Sequence, residues 1–412
     1  MSSLRVLIAG GGISGLVLAQ GLKRSGVDCV VFERDPAERR RSGYRLTLDA
    51  DGGDALAACL PPDLYELYLR ASHQTPARYE VSIVVDSQGN ELTTAPHIGP
   101  PNGGERPHTA IDRRTFRQIL SGGLDDVVRH EAAVTGFEAG ADGVRVQLDD
   151  GTSVDGDVLV GADGVGSAVR RGLLPEVEII GAPVGGLDLF ARSPLTDEIL
   201  AGLPDTVASG FTIARDDRGG LLAMGAYVPR QAPDAAAAEV APGIRVDRVD
   251  PYMMLLGGIQ PGTAVPDPRT WTDDTPRAMH EGMKAVVADW HPAIRGLVER
   301  VELDTIFAHP FRRLDPVAPW PTSRVTLVGD AIHAMLPTLG KGANMAMRNA
   351  AVLRDALVAA DAGERPLLEA LAAYEEDMRR ATYPIMELAA DHGRFGGGGL
   401  RGPQAEPEEA RA

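Results

Sequence analysis

The stretch "VLIAGGGISGLVLAQGLKRSG" (6–26) decides how the rest of this chain is read. An apolar run stops at three glycines, and an amphipathic helical pattern starts directly behind them. Gly10, Gly12 and Gly15 stand in the GxGxxG spacing, and "CVVFER" (29–34) follows as a second strand ending in Glu33, 18 residues after Gly15. The spacing alone is weak; strand, glycine turn, helix and acidic residue together mark a dinucleotide-binding unit. Gly10 permits the tight turn, Gly12 lets backbone amides approach a pyrophosphate, and Gly15 lets helix and strand pack closely, with the positive helix end facing the phosphates. Ser14 in the turn and Arg34 beside Glu33 complete this cofactor-binding set. A carboxylate at 33 accepts ribose hydroxyls and disfavours a 2′-phosphate, which points to FAD or NAD as the bound group.

Three further stretches share the first one's design: "CVVFER", "DVLVGADG" (157–164) and "RVTLVGD" (324–330) are apolar without alternation and end at glycine or an acidic residue. Strands of a parallel sheet buried on both faces look like this, and ligands bind at their carboxyl ends. Between them the character changes. "YEVSIVVDSQGNEL" (79–92) and "GVRVQLDDGTSV" (143–154) alternate around turn residues, as hairpins do, and "GGLDLFAR" (185–192), "GGLLAMGAYV" (219–228) and "PYMMLLGGI" (251–259) are further strands. An antiparallel sheet inserted into the parallel one is expected, with 79–92 joining it. Behind residue 342 the pattern turns helical, and residues 396–412, Gly, Pro and Glu with almost nothing to bury, are expected to be disordered.

The whole sequence has 412 residues, 44% hydrophobic and 24% charged, so two domains are the default. A formal net charge of −17 repels phosphate backbones and anionic membranes, which argues against nucleic-acid and membrane partners. Two cysteines far apart in sequence give no disulfide framework, and no apolar run reaches the ~18 residues of a membrane span. A cytoplasmic protein without a metal site is expected, since His309 and His333 lack a spaced set of partner ligands. Asp163 and Asp330 end two of the sheet strands, where a carboxylate can bind a polyol through both oxygens. FAD, whose ribityl chain needs such a partner, fits this better than NAD.

With those residues in view, the chain resembles the FAD-dependent aromatic hydroxylases, the single-component flavoprotein monooxygenases of the p-hydroxybenzoate hydroxylase fold. "GGGISG" with Glu33 is the dinucleotide motif, "GADGVGSAVR" (161–170) resembles the DG motif, and "GDAIHAMLPTLGKGAN" (329–344) resembles the GD motif. "IDRRTFRQIL" (111–120) is similar to the family's R-x-x-L segment. The resemblance implies an α/β fold: a Rossmann-like FAD-binding domain (1–75, 105–178 and 309–395), an inserted mainly antiparallel substrate domain (76–104 and 179–308) and C-terminal helices. It implies FAD contacts from Arg113, Asp163, Gly164, Asp330, Pro337, Gly340, Gly342 and Asn344, and from Gly43 in "ERRRSGYRLTL" (38–48), a segment lying beside the flavin in relatives.

The activity implied is a monooxygenase in which NAD(P)H reduces the flavin, O2 forms a C4a-hydroperoxyflavin, and one oxygen passes to an aromatic or unsaturated, bulky small molecule. A reductase or halogenase on the same fold is the alternative, and the chain would work as a monomer or homodimer. No catalytic side chain is named by the sequence, because the flavin carries the chemistry. Arg45 and Arg192 are substrate-side candidates, with solvent-facing roles as the plainer reading. His333 and His309 read as structural. Ser167 reads equally as a helix cap and Arg170 as an ion-pair partner, while Lys341 either adds positive charge near the flavin or points outward.

Overall fold

The computed structural model describes residues 4–37, 44–75, 82–94, 108–181, 188–208, 210–258 and 265–392. Gly43 and the 396–412 tail lie outside these residues. The non-alternating apolar runs form one parallel sheet, in the order Val325–Leu327, Val158–Gly161, Arg5–Ala9, Asp28–Glu33, Val128–His130. Helices pack against it, so Val6, Leu7, Ile8, Val158, Leu159 and Val160 are fully buried; no face was left to require polar residues. The first strand lies between two strands reached by opposite crossings, and the crevice at its carboxyl end is where a ligand of such a sheet belongs.

A second sheet has seven strands, in the order Phe307–Ala308, Leu189–Pro194, Tyr252–Gly257, Leu221–Tyr227, Phe211–Arg215, Ser82–Asp86, Glu91–Thr94. All neighbours are antiparallel except Phe211–Arg215 with Ser82–Asp86, which run parallel. Segment 79–92 therefore contributes to the inserted sheet, whereas 143–154 pairs within a separate three-stranded sheet, Val134–Ala139, Val144–Leu148 and Ser153–Gly156. Strand alternation sorts the large sheet's two faces. Met253, Leu255, Met224 and Ala226 pack under Met283, Trp290, Ile294 and Leu297 of the segment carrying helices Thr275–Val286 and Pro292–Glu299. Phe190, Ala223, Tyr227, Tyr252, Met254 and Leu256 form the other face. Burial of both faces explains why "YMMLLG" shows no alternation.

A small antiparallel sheet, Arg45–Leu48, Thr109–Asp112 and His73–Gln74, lies between the two large ones, with Arg45 opposite Asp112. Its first strand bonds to the GD-motif helix and its side chains reach the seven-stranded sheet. Helix Gly342–Asp361 packs on helices Ile13–Arg24, Ala50–Cys59 and Leu367–His392. Both cysteines are free and buried, and burial pushes Cys29 to about 12 and Cys59 to about 11, so neither is a reactive thiol. Among the described residues no helix is long and apolar enough to cross a membrane.

Candidate functional site

The three glycines of the first turn have separate reasons. Gly10 has φ +103°, its amide donates to Phe32 O at 2.8 Å, and a Cβ there would lie 2.5 Å from Ala162 O. A Cβ on Gly15 would lie 2.0 Å from Gly10 O, so the helix closes onto the turn only without a side chain. At Gly12 the nearest atom to such a Cβ is 3.9 Å away. That position is open, and it N-caps helix Ile13–Arg24 without any side-chain cap. The first-turn N–H groups are thus left for an anion. Ser14 is buried against Gly329, where φ is +66° and a Cβ would meet Ser14 Oγ at 2.5 Å, so the GD turn rests directly on the glycine turn.

Glu33 is buried, and Oε2 accepts from Gly11 N–H at 3.0 Å and from Arg117 at 2.9 Å, while Oε1 accepts from Asp35 N–H at 2.9 Å. These bonds fix the carboxylate and leave part of its acceptor capacity for ribose hydroxyls. Arg34 beside it is exposed. Arg117 was not anticipated, although it stands four residues after Arg113 and so on the same face of helix Arg113–Ser121.

Asp163 sits against Gly10, but its carboxylate is spent locally. One oxygen accepts from Ser167 Oγ at 2.5 Å and the other from Ala168 and Val169 N–H at 2.7 and 3.3 Å. Ser167 in turn caps helix Ala168–Leu173, so this aspartate builds the DG turn rather than offering a free carboxylate. Gly164 follows with φ +76°. Arg170 is fully buried and, among the described residues, pairs with no carboxylate side chain; it donates to Ala331 O at 2.8 Å and Val165 O at 2.7 Å, tying the DG helix to the residue after Asp330.

Asp330 is the contrasting carboxylate. It is exposed to the crevice and, among the described residues, accepts no hydrogen bond. The surrounding protein still raises its carboxyl above the usual value by desolvation, with Arg113 pulling the other way. An aspartate reachable by solvent yet crowded by protein is what the floor of a cleft produces. Arg113 lies over the Tyr44 ring at 5.5 Å.

Behind Asp330 the chain turns through exposed Pro337 and Gly340, the latter at φ +63°, and enters helix Gly342–Asp361. Asn344 is fully buried. It donates to Thr47 O and Gly340 O at 3.0 and 2.9 Å and accepts from Asp49 N–H at 3.0 Å, so its amide shapes the turn and has no free group to present to a ligand. Lys341 neither faces the crevice nor points outward. It is buried, and Nζ donates to Asp49 and Asp51, each at 2.6 Å. Burial nevertheless raises the Asp49 carboxyl, against the pull of Lys341. His333 is fully buried, accepts at Nε2 from Asn349 at 3.1 Å, and is driven by desolvation to about 4, so it stays neutral. His309 is exposed at the edge of an aromatic group with Tyr44, Phe190 and Phe311.

Residues 300–389 match the family model described as an FAD binding domain, and residues 8–38 match that of an NAD(P)-binding Rossmann-like domain. The 3-amino-4-hydroxybenzoate 2-monooxygenase PtmB3 of Streptomyces platensis is 30% identical over 387 residues, covering 90% of this chain and 83% of that protein. This chain belongs to the FAD-dependent monooxygenases of the aromatic hydroxylase family. The dual O-methyltransferase/FAD-dependent monooxygenase elcB of Phaeosphaeria nodorum is 32% identical over 385 residues, 85% of this chain and 40% of that one. The chain spans less than half the length of several curated relatives that it matches, elcB included. The crystal structure of a putative FAD containing monooxygenase from Photorhabdus luminescens superposes with a TM-score of 0.76 at 26% identity, covering 95% of this chain and 98% of that one.

The residues present fit FAD: an uncapped helix amino end behind an open glycine, a fixed carboxylate at the second strand, and an unpartnered aspartate on the crevice floor. Among the described residues no cluster of His, Cys, Asp and Glu is arranged to hold a metal. On the face of the seven-stranded sheet, Arg192 is not a free substrate contact. Its Nη2 donates to Asp112 at 2.6 Å, its guanidinium stacks on Tyr252 at 4.1 Å, and Tyr252 also donates to Asp112 at 2.8 Å. Asp112 caps helix Arg113–Ser121 with its other oxygen, so this trio fastens the sheet to the nucleotide half. Arg45 is buried against the same sheet.

Proposed function

We propose that this chain uses FAD, reduced by NAD(P)H, and O2 to place one oxygen atom on an aromatic or unsaturated small molecule in the cytoplasm, working as a monomer or homodimer. The observation that carries the reading is the meeting of three strand ends, at Gly10, Asp163 and Asp330, in one crevice next to an aromatic and Met/Leu-lined sheet face. The names of the relatives, PtmB3 among them, support an aromatic substrate over the reductase or halogenase alternative. The domain division proposed is 1–75, 105–178 and 309–395 for the cofactor and 76–104 and 179–308 for the substrate.

FAD supplies the hydride acceptance and oxygen activation when bound. The chain's own residues hold and orient. The open amides behind Gly12, with Gly10, Ser14 and Gly15, bind the pyrophosphate; Glu33 and Arg34 bind the adenosine ribose; Asp330 takes the ribityl hydroxyls, with Arg113 beside it. Asp163 and Gly164 shape the wall against Gly10. Pro337, Gly340, Gly342 and Asn344 shape the turn into helix Gly342–Asp361, whose amino end would favour negative charge on a cofactor held there. The sheet face with Phe190, Met254 and Leu256 keeps water from the reacting atoms. Purified protein reconstituted with FAD should turn yellow, and with NAD(P)H and a screened substrate it should yield a product carrying one atom from labelled dioxygen. A product without label removes the proposal.

A further inference from the structure

Asp112 is fully buried, and its carboxylate is filled from two directions. Oδ1 accepts from the Arg114 and Thr115 amides at 2.9 and 3.2 Å, capping helix Arg113–Ser121. Oδ2 accepts from Arg192 Nη2 at 2.6 Å and from the Tyr252 hydroxyl at 2.8 Å, both on the seven-stranded sheet. Four donors thus occupy the acceptor positions of one carboxylate. A helix cap needs less than this, since a serine or threonine hydroxyl satisfies the same amides without burying a charge. What the aspartate adds is a charged tie from the helix to the inserted sheet.

Arg192 is held firmly enough to act as that tie. Its N–H donates to Thr305 Oγ1 and its carbonyl accepts from Glu302 N–H, each at 3.0 Å, and its guanidinium lies 4.1 Å from the centre of the Tyr252 ring. The residue after Asp112 is Arg113, the first of the helix. Its N–H donates to Tyr44 O at 2.9 Å, and its guanidinium lies over the Tyr44 ring. Tyr44 in turn packs on Phe190 of the sheet, with ring centres 5.2 Å apart. The sheet therefore braces Arg113 twice, at the backbone through Arg192 and Asp112 and at the side chain through Tyr44. On its other side Arg113 is close enough to Asp330 to oppose the desolvation of that carboxyl.

On the reading that the crevice takes FAD beside Asp330 and Arg113, we propose that Arg192 is a positioning residue for the cofactor, acting from the inserted sheet through Asp112 to set where Arg113 stands. Removing Arg192 leaves the Asp112 carboxylate buried without that counter-charge, a state that relaxes by the carboxylate swinging off the amides or drawing in water. Either response loosens the first turn of the helix and, with it, Arg113. The sheet is then part of the cofactor site as well as a wall for the substrate.

The test is a double-mutant cycle on FAD affinity, read by titrating FAD back into protein stripped of it. Arg192→Met should weaken FAD about ten-fold, and Arg113→Ala at least as much. The pair combined should be no weaker than Arg113→Ala alone to within about two-fold, because Arg192 acts only through Arg113. Arg192→Lys, which keeps the charge and loses the planar fork, should recover part of the affinity. Tyr252→Phe removes one hydroxyl from Asp112 and should weaken FAD about two- to three-fold, again only while Arg113 is present; it serves if Arg192→Met does not fold. In hydrogen exchange, Arg192→Met should speed the Arg114 and Thr115 amides about ten-fold with the parallel sheet unchanged. Unchanged FAD affinity in Arg192→Met, an equal loss in the Arg113→Ala background, or unchanged affinity in Arg113→Ala overturns the proposal. A protein that takes up no FAD overturns the FAD reading instead, and hydrogen exchange on the FAD-free chain then decides whether Arg192 sets the start of the helix: faster Arg114 and Thr115 amides uphold it, and unchanged ones overturn it.

Discussion

Two buried cations lie on either side of the four-residue strand Arg45–Leu48, and they have opposite surroundings. Lys341 enters from the GD turn and is enclosed by Asp49 and Asp51, two carboxylates for one ammonium. Arg45 leaves toward the seven-stranded sheet and, among the described residues, bonds to a carbonyl and a hydroxyl and lies over the Phe211 ring. A charge with more than enough counter-charge is a fastening. A charge with no carboxylate beside it among the described residues is held instead by neutral acceptors, and the contrast separates two ways in which this fold keeps a cation inside.

The sharpest way to break this contrast is Lys341→Met. It strands two carboxylates in the interior, and unfolding by urea should show a loss of about 3 to 5 kcal/mol. Arg45→Met, which removes a desolvated charge along with its two hydrogen bonds, should cost markedly less; a loss as large as the lysine's would mean that Arg45 too is a fastening.

Histidines on the two sides extend the comparison to pH. His73 and His333 are both lowered from 6.5 to about 4, each chiefly by desolvation. Between those values the unfolded chain binds protons that the folded chain refuses, so stability falls as pH drops from about 6.5 to about 4, by about 3 kcal/mol for each. His333→Gln should flatten the stability profile in that window. In Arg45→Met the His73 titration, followed by NMR, should move part of the way back toward 6.5, because Arg45 is the second cause of its shift; an unmoved titration would put the guanidinium's charge elsewhere.

Carboxylates at the ends of two parallel strands make a third contrast. Asp330→Ala should weaken FAD binding by about ten-fold with the melting temperature nearly unchanged, since among the described residues that side chain accepts no hydrogen bond. Ser167→Ala, on the DG side, should cost about 1 kcal/mol of stability through the lost cap and leave FAD affinity nearly intact. If the two results were exchanged, the roles given to Asp330 and to the DG turn would have to be exchanged too.

The parallel sheet was legible because its signals are local. A strand buried on both faces shows an unbroken apolar run, and the glycines at 10, 12 and 15 are forced by atoms within a few ångströms of the turn. The partner of a buried charge leaves no such mark. Lys341 and its aspartates are 292 and 290 residues apart in the chain, and "TLDADGGDAL" reads on its own only as a helix start. The small sheet at Arg45–Leu48 was hidden for the same reason: its strands are two to four residues long and alternate too briefly to register. Helices Thr275–Val286 and Pro292–Glu299 were passed over inside a Pro/Gly-punctuated region, although their hydrophobic faces are what seals the second sheet.

The parallel pairing of Ser82–Asp86 with Phe211–Arg215 also sets an order of events during synthesis. Ser82 leaves the ribosome 129 residues before its partner Phe211. Until then Ile83, Val84 and Val85, all buried in the finished sheet, have no neighbour on that side. At ordinary elongation rates that wait lasts about 6 to 26 seconds. The chain must carry an adhesive, unfinished edge while residues 105–178 of its nucleotide half are made, and a fragment starting after the DG helix would never receive that strand at all.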